Sequence, residues 1–156
     1  QVLQHLTEPV AALAEMRRVT RPGGLVAARD ADYAAMAWYP SDPRLVRWLE
    51  IYHAVARANG AEPVAGRRLY AWARAAGFSE TTPSASTWLF ADPERRTWWG
   101  ETWAERTLRS GLAEQAVAIG VASRDERAAI AAGWRDWTTH PDGWFSVLHG
   151  EVLARP

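Results

Sequence analysis

The chain has 156 residues with 18 basic and 18 acidic side chains, so it is long enough for one domain and carries no overall field to gather nucleic acid or anionic lipid. With no cysteine, disulfide scaffolds, thiolate metal sites and cysteine nucleophiles are excluded; with all 18 cations Arg, so are lysine Schiff bases and P-loops. No run approaches the length of about 18 apolar residues that a membrane span needs, so a soluble cytoplasmic protein is expected.

Residue 1 is Gln, the mark of a processed chain or a piece of a longer one. Gln1–Leu6 lacks the charged start and cleavage site of a signal peptide. Thr7-Glu8-Pro9 predicts a helix start, with Thr7 as N-cap and Pro9 in the first turn. Leu6, Val10, Leu13, Met16 and Val19 recur at helical spacing until Pro22-Gly23-Gly24 stops them. Leu25–Ala28 is a continuous apolar run, as in a strand covered on both faces, and it ends at Arg29-Asp30.

An aromatic-rich connection, 30–40, leads to Asp42-Pro43 and a second helix closed by Asn59-Gly60. A third helix runs from about Gly66 to Ala76, with Gly77 as its left-handed cap and Phe78 packing back. Residues 79–90 are β-prone, and Pro83 points to a bulge or an edge. Asp92-Pro93 starts a helix carrying Trp98, Trp99 and Trp103; Gly111 breaks it, and Leu112–Ile119 forms a short successor. Ser123 opens a last helix with capping-box spacing to Glu126. His140–Gly143 is a turn, and Trp144–Leu153 a closing strand. No linker or repeat interrupts this order, which reads as one compact α/β unit.

In layered α/β sheets, ligands sit outside the carboxyl ends of the strands. Asp30, Asp32 and Tyr33 fall at such a rim, although Asp30 and Asp32 also suit ordinary turn or capping duty. The four histidines are dispersed, and none has a partner at metal-ligand spacing, so no metal is assigned. The pairs Arg67-Arg68 and Arg95-Arg96 read as solvated faces or helix-dipole partners. Ten tryptophans are several times ordinary usage. Trp48, Trp72, Trp134 and Trp137 lie on apolar helix faces and read as core. Trp38-Tyr39 lies in a connection, and Trp98-Trp99 cannot both enter one narrow stripe. These four, with Trp103, can roof a pocket for an apolar acceptor or pack between helices and sheet.

The run QVLQHLTEPVAALAEMRRVTRPGGLVAARD resembles the segment after the fourth strand and through the fifth of class I S-adenosylmethionine-dependent methyltransferases, in particular the ubiquinone/menaquinone C-methyltransferase type. WARAAGF is similar to that family's helix leading into strand six, and DGWFSVLHGEVLARP to its closing strand seven. The resemblance implies the C-terminal part of a Rossmann-like, seven-stranded sheet. Its core elements would be about 1–30, 66–90 and 144–155, with helical insertions about 41–60 and 92–139. It also implies S-adenosylmethionine as cofactor and a small apolar or aromatic acceptor.

On that resemblance, Gln1 and Val2 stand where family members touch the cofactor, and His5 opens the following loop toward the same cleft. His5, Asp30 and Tyr33 become candidate catalytic residues, with Trp38, Tyr39, Trp98 and Trp99 as acceptor contacts; His5 also suits a polar helix entrance. The chain departs from the family pattern in one respect. It has no Gly-x-Gly, the cofactor loop of strand one, so roughly a hundred residues, or three to four βα units, would be missing. Such a chain alone is expected to be inactive, and prone to self-association through an exposed sheet edge. The rival reading is a non-catalytic α/β module that binds a hydrophobic ligand or partner chain through exposed tryptophans.

Overall fold

The structure, a computed structural model, describes residues 1–156. Its elements are α1 (Pro9–Val19), β1 (Val26–Ala31), β2 (Ala37–Tyr39), α2 (Pro43–Ala58), α3 (Leu69–Ala75), β3 (Glu80–Phe90), α4 (Pro93–Arg109), α5 (Gly111–Ala118), α6 (Arg124–Thr139) and β4 (Trp144–Arg155), with short 3-10 turns at Leu3–His5, Tyr33–Ala35 and Ala65–Arg68. The fold is mixed α/β, with four strands in this chain. No helix is long and apolar enough to cross a membrane.

Where one compact unit was expected, the chain forms two: Gln1–Met36, Gly60–Trp88 and Val147–Pro156 make the first, and Ala37–Asn59 with Leu89–Ser146 the second. In the first unit β1 pairs antiparallel with β4, and the register sets Val26 against Ala154, Ala28 against Val152 and Asp30 against Gly150. Period-two alternation sends these to one face, where Val26, Val152 and Ala154 meet Leu13 of α1 and Leu69, Ala73 and Phe78 of the α3 segment. Burying these chains supplies the unit's hydrophobic driving force, roughly 1.5–3 kcal/mol for each large side chain.

β1 differs from its expected span. It does not end at Arg29-Asp30 but runs to Ala31, because β4 supplies partners for all six residues. The predicted Thr7 cap is also absent. Glu8 holds the N-cap position without a side-chain hydrogen bond, while the Thr7 side chain is turned against Gly60, where a Cβ would come within 2.9 Å of Thr7 Cγ2. Gln1 and Val2 are not in a strand; Leu3–His5 coil into a 3-10 turn. The expected third helix is split into the turn Ala65–Arg68 and the shorter α3. β3 pairs only with β4, so Pro83 lies in an edge strand, where proline is tolerated.

In the second unit the caps are local and legible. Asp42 accepts from the Arg44 N–H, Asp92 from Arg95 N–H and Ser123 from Glu126 N–H, each satisfying a helix-start donor. Part of the expected connection is strand instead: β2 pairs Trp38 with Phe145 and Tyr39 with Trp144 of β4. α4 and α6 pack closely because Gly100 brings the α4 backbone against α6, where a Cβ would lie 3.0 Å from the Trp134 carbonyl oxygen. Trp48, Trp103, Trp134 and Phe145 fill the interior, with Trp48 edge-on to Trp134 at 4.9 Å and to Trp103 at 4.6 Å between centroids. Such edge-to-face pairs add about 0.5–1.5 kcal/mol each beyond area burial.

Candidate active site

The end of β1 and the chain's first residues build two polar clusters, one on each face of the strand. Asp30 is 1% exposed and opposes Gly150, on the face that packs against the helices. The turn Ala65–Arg68 presses directly onto this place: a Cβ on Gly66 would fall 2.8 Å from the Asp30 carbonyl oxygen and 2.9 Å from the Gly150 nitrogen. Only residues without side chains allow that approach. The Asp30 carboxylate accepts hydrogen bonds from the backbone of Leu3 and Gln4, but burial outweighs them and holds its pKa above the usual carboxylate value. Asp30 Oδ1 and Gln4 Oε1 are both buried acceptors without a donor.

Asp32, just after β1, is expected in a rim site or in turn or capping duty, and Arg67 on a solvated face or as a helix-dipole partner. They are partners instead. Asp32 is 1% exposed, and Arg67 grips it with two nitrogens, Nη2 donating to Oδ1 at 2.8 Å and Nε to Oδ2. The fork geometry suits a carboxylate that water cannot reach. Asp32 N–H donates to the Leu148 carbonyl (2.9 Å), and Tyr33 N–H to Pro63 (3.0 Å), which fixes the turn after β1.

On the opposite face, β1 and β4 pair Arg29 with Glu151 and Ala31 with His149. Arg29 Nε lies 3.1 Å from Glu151, whose carboxylate also accepts from the Ser84 and Ser86 hydroxyls. Trp88 covers this row, 4.3 Å from the His149 ring and 5.1 Å from the Arg29 guanidinium. His149 is completely buried. Its Nδ1 faces the Val147 carbonyl, which can only accept, so Nδ1 carries the proton and Nε2 is left as an acceptor. The Gln1 side-chain amide donates to that Nε2 at 2.6 Å. Burial, with the nearby Arg29 charge, pushes the His149 pKa down to about 4.

Gln1, Asp30 and Tyr33 all belong to the first unit, with Asp30 and Tyr33 buried, but the Gln1 side chain reaches His149 on the face of β1 opposite Asp30. Val2 is exposed; His5 is exposed too, with its ring 3.0 Å from the Gln4 amide. Trp38, Tyr39, Trp98 and Trp99 belong to the second unit. There Trp99 is interior, stacked on Phe90 at 4.2 Å, and Trp38 stacks on Phe145 at 5.7 Å. Trp98 and Tyr39 are open to solvent, at 58% and 57% exposed.

No motif in the sequence marks His149, Arg67, Gly66 or Gly150 as members of these clusters. The glycines carry no local signal, because each is required by the other across the fold. His149 lies within the run that resembles strand seven, and its inward alternation with Val147 and Glu151 was the available signal. Arg96, read as solvated, is buried and donates to the carbonyls of His140, Pro141 and Gly143.

An α/β unit with polar groups gathered at the end of β1 fits a methyltransferase, and residues 1–28 match the methyltransferase domain family. The chain is similar to class I S-adenosylmethionine-dependent methyltransferases, whose cofactor is S-adenosylmethionine. An uncharacterized methyltransferase of Schizosaccharomyces pombe is 36% identical over 159 residues, covering 99% of this chain and 55% of that protein. A probable methyltransferase of Aspergillus luteorubrus is 30% identical over 155 residues, covering 94% and 53%. The chain spans about half the length of these relatives. A solved N-methyltransferase of Haemonchus contortus, in complex with phosphomonomethylethanolamine and S-adenosylhomocysteine, aligns over 100% of this chain and 32% of its own, at 13% identity and a TM-score of 0.44.

Proposed function

We propose that the chain serves S-adenosylmethionine-dependent methyl transfer to a small apolar or aromatic acceptor. The observation that carries this reading is the 36% identity to a methyltransferase along 99% of the chain. The chain contains no Gly-x-Gly, so in this reading the cofactor's glycine loop is supplied by sequence outside these 156 residues, and the chain alone does not turn over.

When bound, the cofactor supplies a methyl group on a positively charged sulfur, passed in line to the acceptor's nucleophilic atom while the C–S electron pair stays on sulfur. The residues at the end of β1 suit such a group: Asp30 Oδ1 and Gln4 Oε1 are buried acceptors in want of a donor or a cation. In this reading Gln1 and Val2 border the cofactor. Asp30, whose raised pKa makes it the better base, takes the acceptor's proton. His5 orients the acceptor, and Tyr33 fixes the turn that holds Asp32. Of the four aromatic candidates, all in the second unit, Tyr39 and Trp98 keep exposed rings, whereas Trp99 is interior.

The test is calorimetric titration of S-adenosylmethionine into this chain and into the longer polypeptide encoded with its upstream sequence, followed by methyl-label transfer to a panel of phenols and quinols. The longer polypeptide is expected to bind and transfer label, with Asp30→Asn lowering turnover about 100-fold or more. Equal cofactor affinity for the 156-residue chain would sink the assignment of the glycine loop, and no transfer to any apolar acceptor would sink the acceptor class.

A further inference from the structure

The helical unit holds a feature that methyl transfer does not use. Between the end of α4, α5 and the start of α6 runs a surface groove with about 540 Å³ of open space. Its charged walls are Arg109, Arg124 and Arg127 against a single acid, Glu114, in a protein whose charges otherwise balance. Arg109 is paired with Glu105 at 3.5 Å, but Arg124 and Arg127 have no carboxylate partner. Leu108 and Val117 give the groove an apolar side.

Two of its residues, Ala113 and Arg127, also line an interior cavity of about 10 Å³, room for one water-sized group. Trp48, Thr107 and Ile130 form other walls of that cavity. Here the polar accounting fails to close. Thr107 is 5% exposed and its hydroxyl has no partner; neither the Trp48 indole N–H nor the Arg127 Nε–H has one either. The Arg127 guanidinium is held by Nη1, which donates to the Thr107 and Leu108 carbonyls at the end of α4. Three buried donors without an acceptor, beside two unpaired cations, describe a site lacking an oxyanion.

We propose that this groove binds a small organic carboxylate. One carboxylate oxygen enters the interior cavity and accepts from Thr107 and Arg127; Arg124 and Arg109 supply the field at the mouth; the apolar substituent lies on Leu108 and Val117. The site lies wholly within the helical unit and goes beyond the methyl-transfer reading, so either can fail without the other.

The experiment is calorimetric titration of phenylacetate into the 156-residue chain, with 2-phenylethanol and acetate as the uncharged and the ringless controls. Phenylacetate is expected to bind at least about tenfold more tightly than either control, and to raise the melting temperature in proportion to its concentration. Because Arg127 also holds the end of α4, the decisive variants are Thr107→Val, which keeps the shape, and Arg124→Gln on the surface. Each is expected to weaken phenylacetate binding about tenfold, the loss of one hydrogen bond or charge contact to a carboxylate. Neither is expected to lower the ligand-free melting temperature. Phenylacetate binding unchanged in both variants, equal binding of 2-phenylethanol, or no binding at millimolar phenylacetate overturns the proposal. In that last case the cavity is a water site.

Discussion

Gly66 and Gly150 meet backbone to backbone, with no room for a methyl group on either: a Cβ on Gly150 would overlap the Gly66 carbonyl. This contact seats the turn Ala65–Arg68 on the sheet and delivers Arg67 to the buried Asp32. Gly150→Ala is therefore expected to lose at least about 3 kcal/mol, the upper range of overpacking, since backbone atoms on both sides cannot yield. Gly111→Ala, with nothing within 4 Å of the added methyl group, is the control and should stay within about 0.5 kcal/mol. Chemical denaturation of both variants checks the contrast.

The Arg67–Asp32 pair makes an asymmetric prediction. Arg67→Met leaves a buried carboxylate with no cation; Arg67 is itself 54% exposed, so solvent screening trims the loss to about 2 kcal/mol. Asp32→Asn keeps a hydrogen-bond acceptor without the charge and should cost about 1 kcal/mol. Equal losses in urea denaturation would show that the charge contributes nothing.

His149 ties stability to pH. Its folded pKa of about 4 lies below the ordinary histidine value of 6.5, so between these limits the unfolded chain binds the extra proton. Stability is thus complete above pH 6.5 and declines as pH falls toward 4, by up to about 3 kcal/mol in all. Asp30 acts in the opposite sense: its raised pKa favours the folded state as pH falls through it. His149→Phe, which keeps a ring against Trp88, should flatten the slope between pH 4 and 6.5; Asp30→Asn should steepen it. Melting temperatures across this range read both effects.

The tryptophans separate by burial. Trp134 has no exposed surface and touches the rings of Trp48, Trp103, Trp137 and Phe145. Trp134→Ala is expected to cost about 3–5 kcal/mol, whereas Trp98→Ala, on an exposed ring, should stay within about 1 kcal/mol.

Helix starts were legible because a cap is decided within four residues: Asp42, Asp92 and Ser123 each hold their own helix's N–H groups. Gly77, at φ +84°, likewise ends its helix by local geometry. The length of β1 was not legible, because its last three residues are strand only by virtue of β4. Arg67 and Arg96 looked like surface cations, since a sequence does not show which carbonyls or carboxylates will be folded beneath them. The apolar run before Asp30 and Tyr33 placed both near the end of β1, but did not show that Asp30 lies inside the strand. His149 and the two glycines were hidden, because their meaning exists only once distant strands are side by side.

β4 pairs Val26 with Ala154 and Trp38 with Phe145, and so both compact units borrow a strand from residues that follow all their other elements in sequence. On the ribosome neither can be completed until residues 144–155 have emerged from the exit tunnel. Until then, β1 and the tryptophan-rich helices wait with apolar surface uncovered, the interval in which a nascent chain depends most on chaperones.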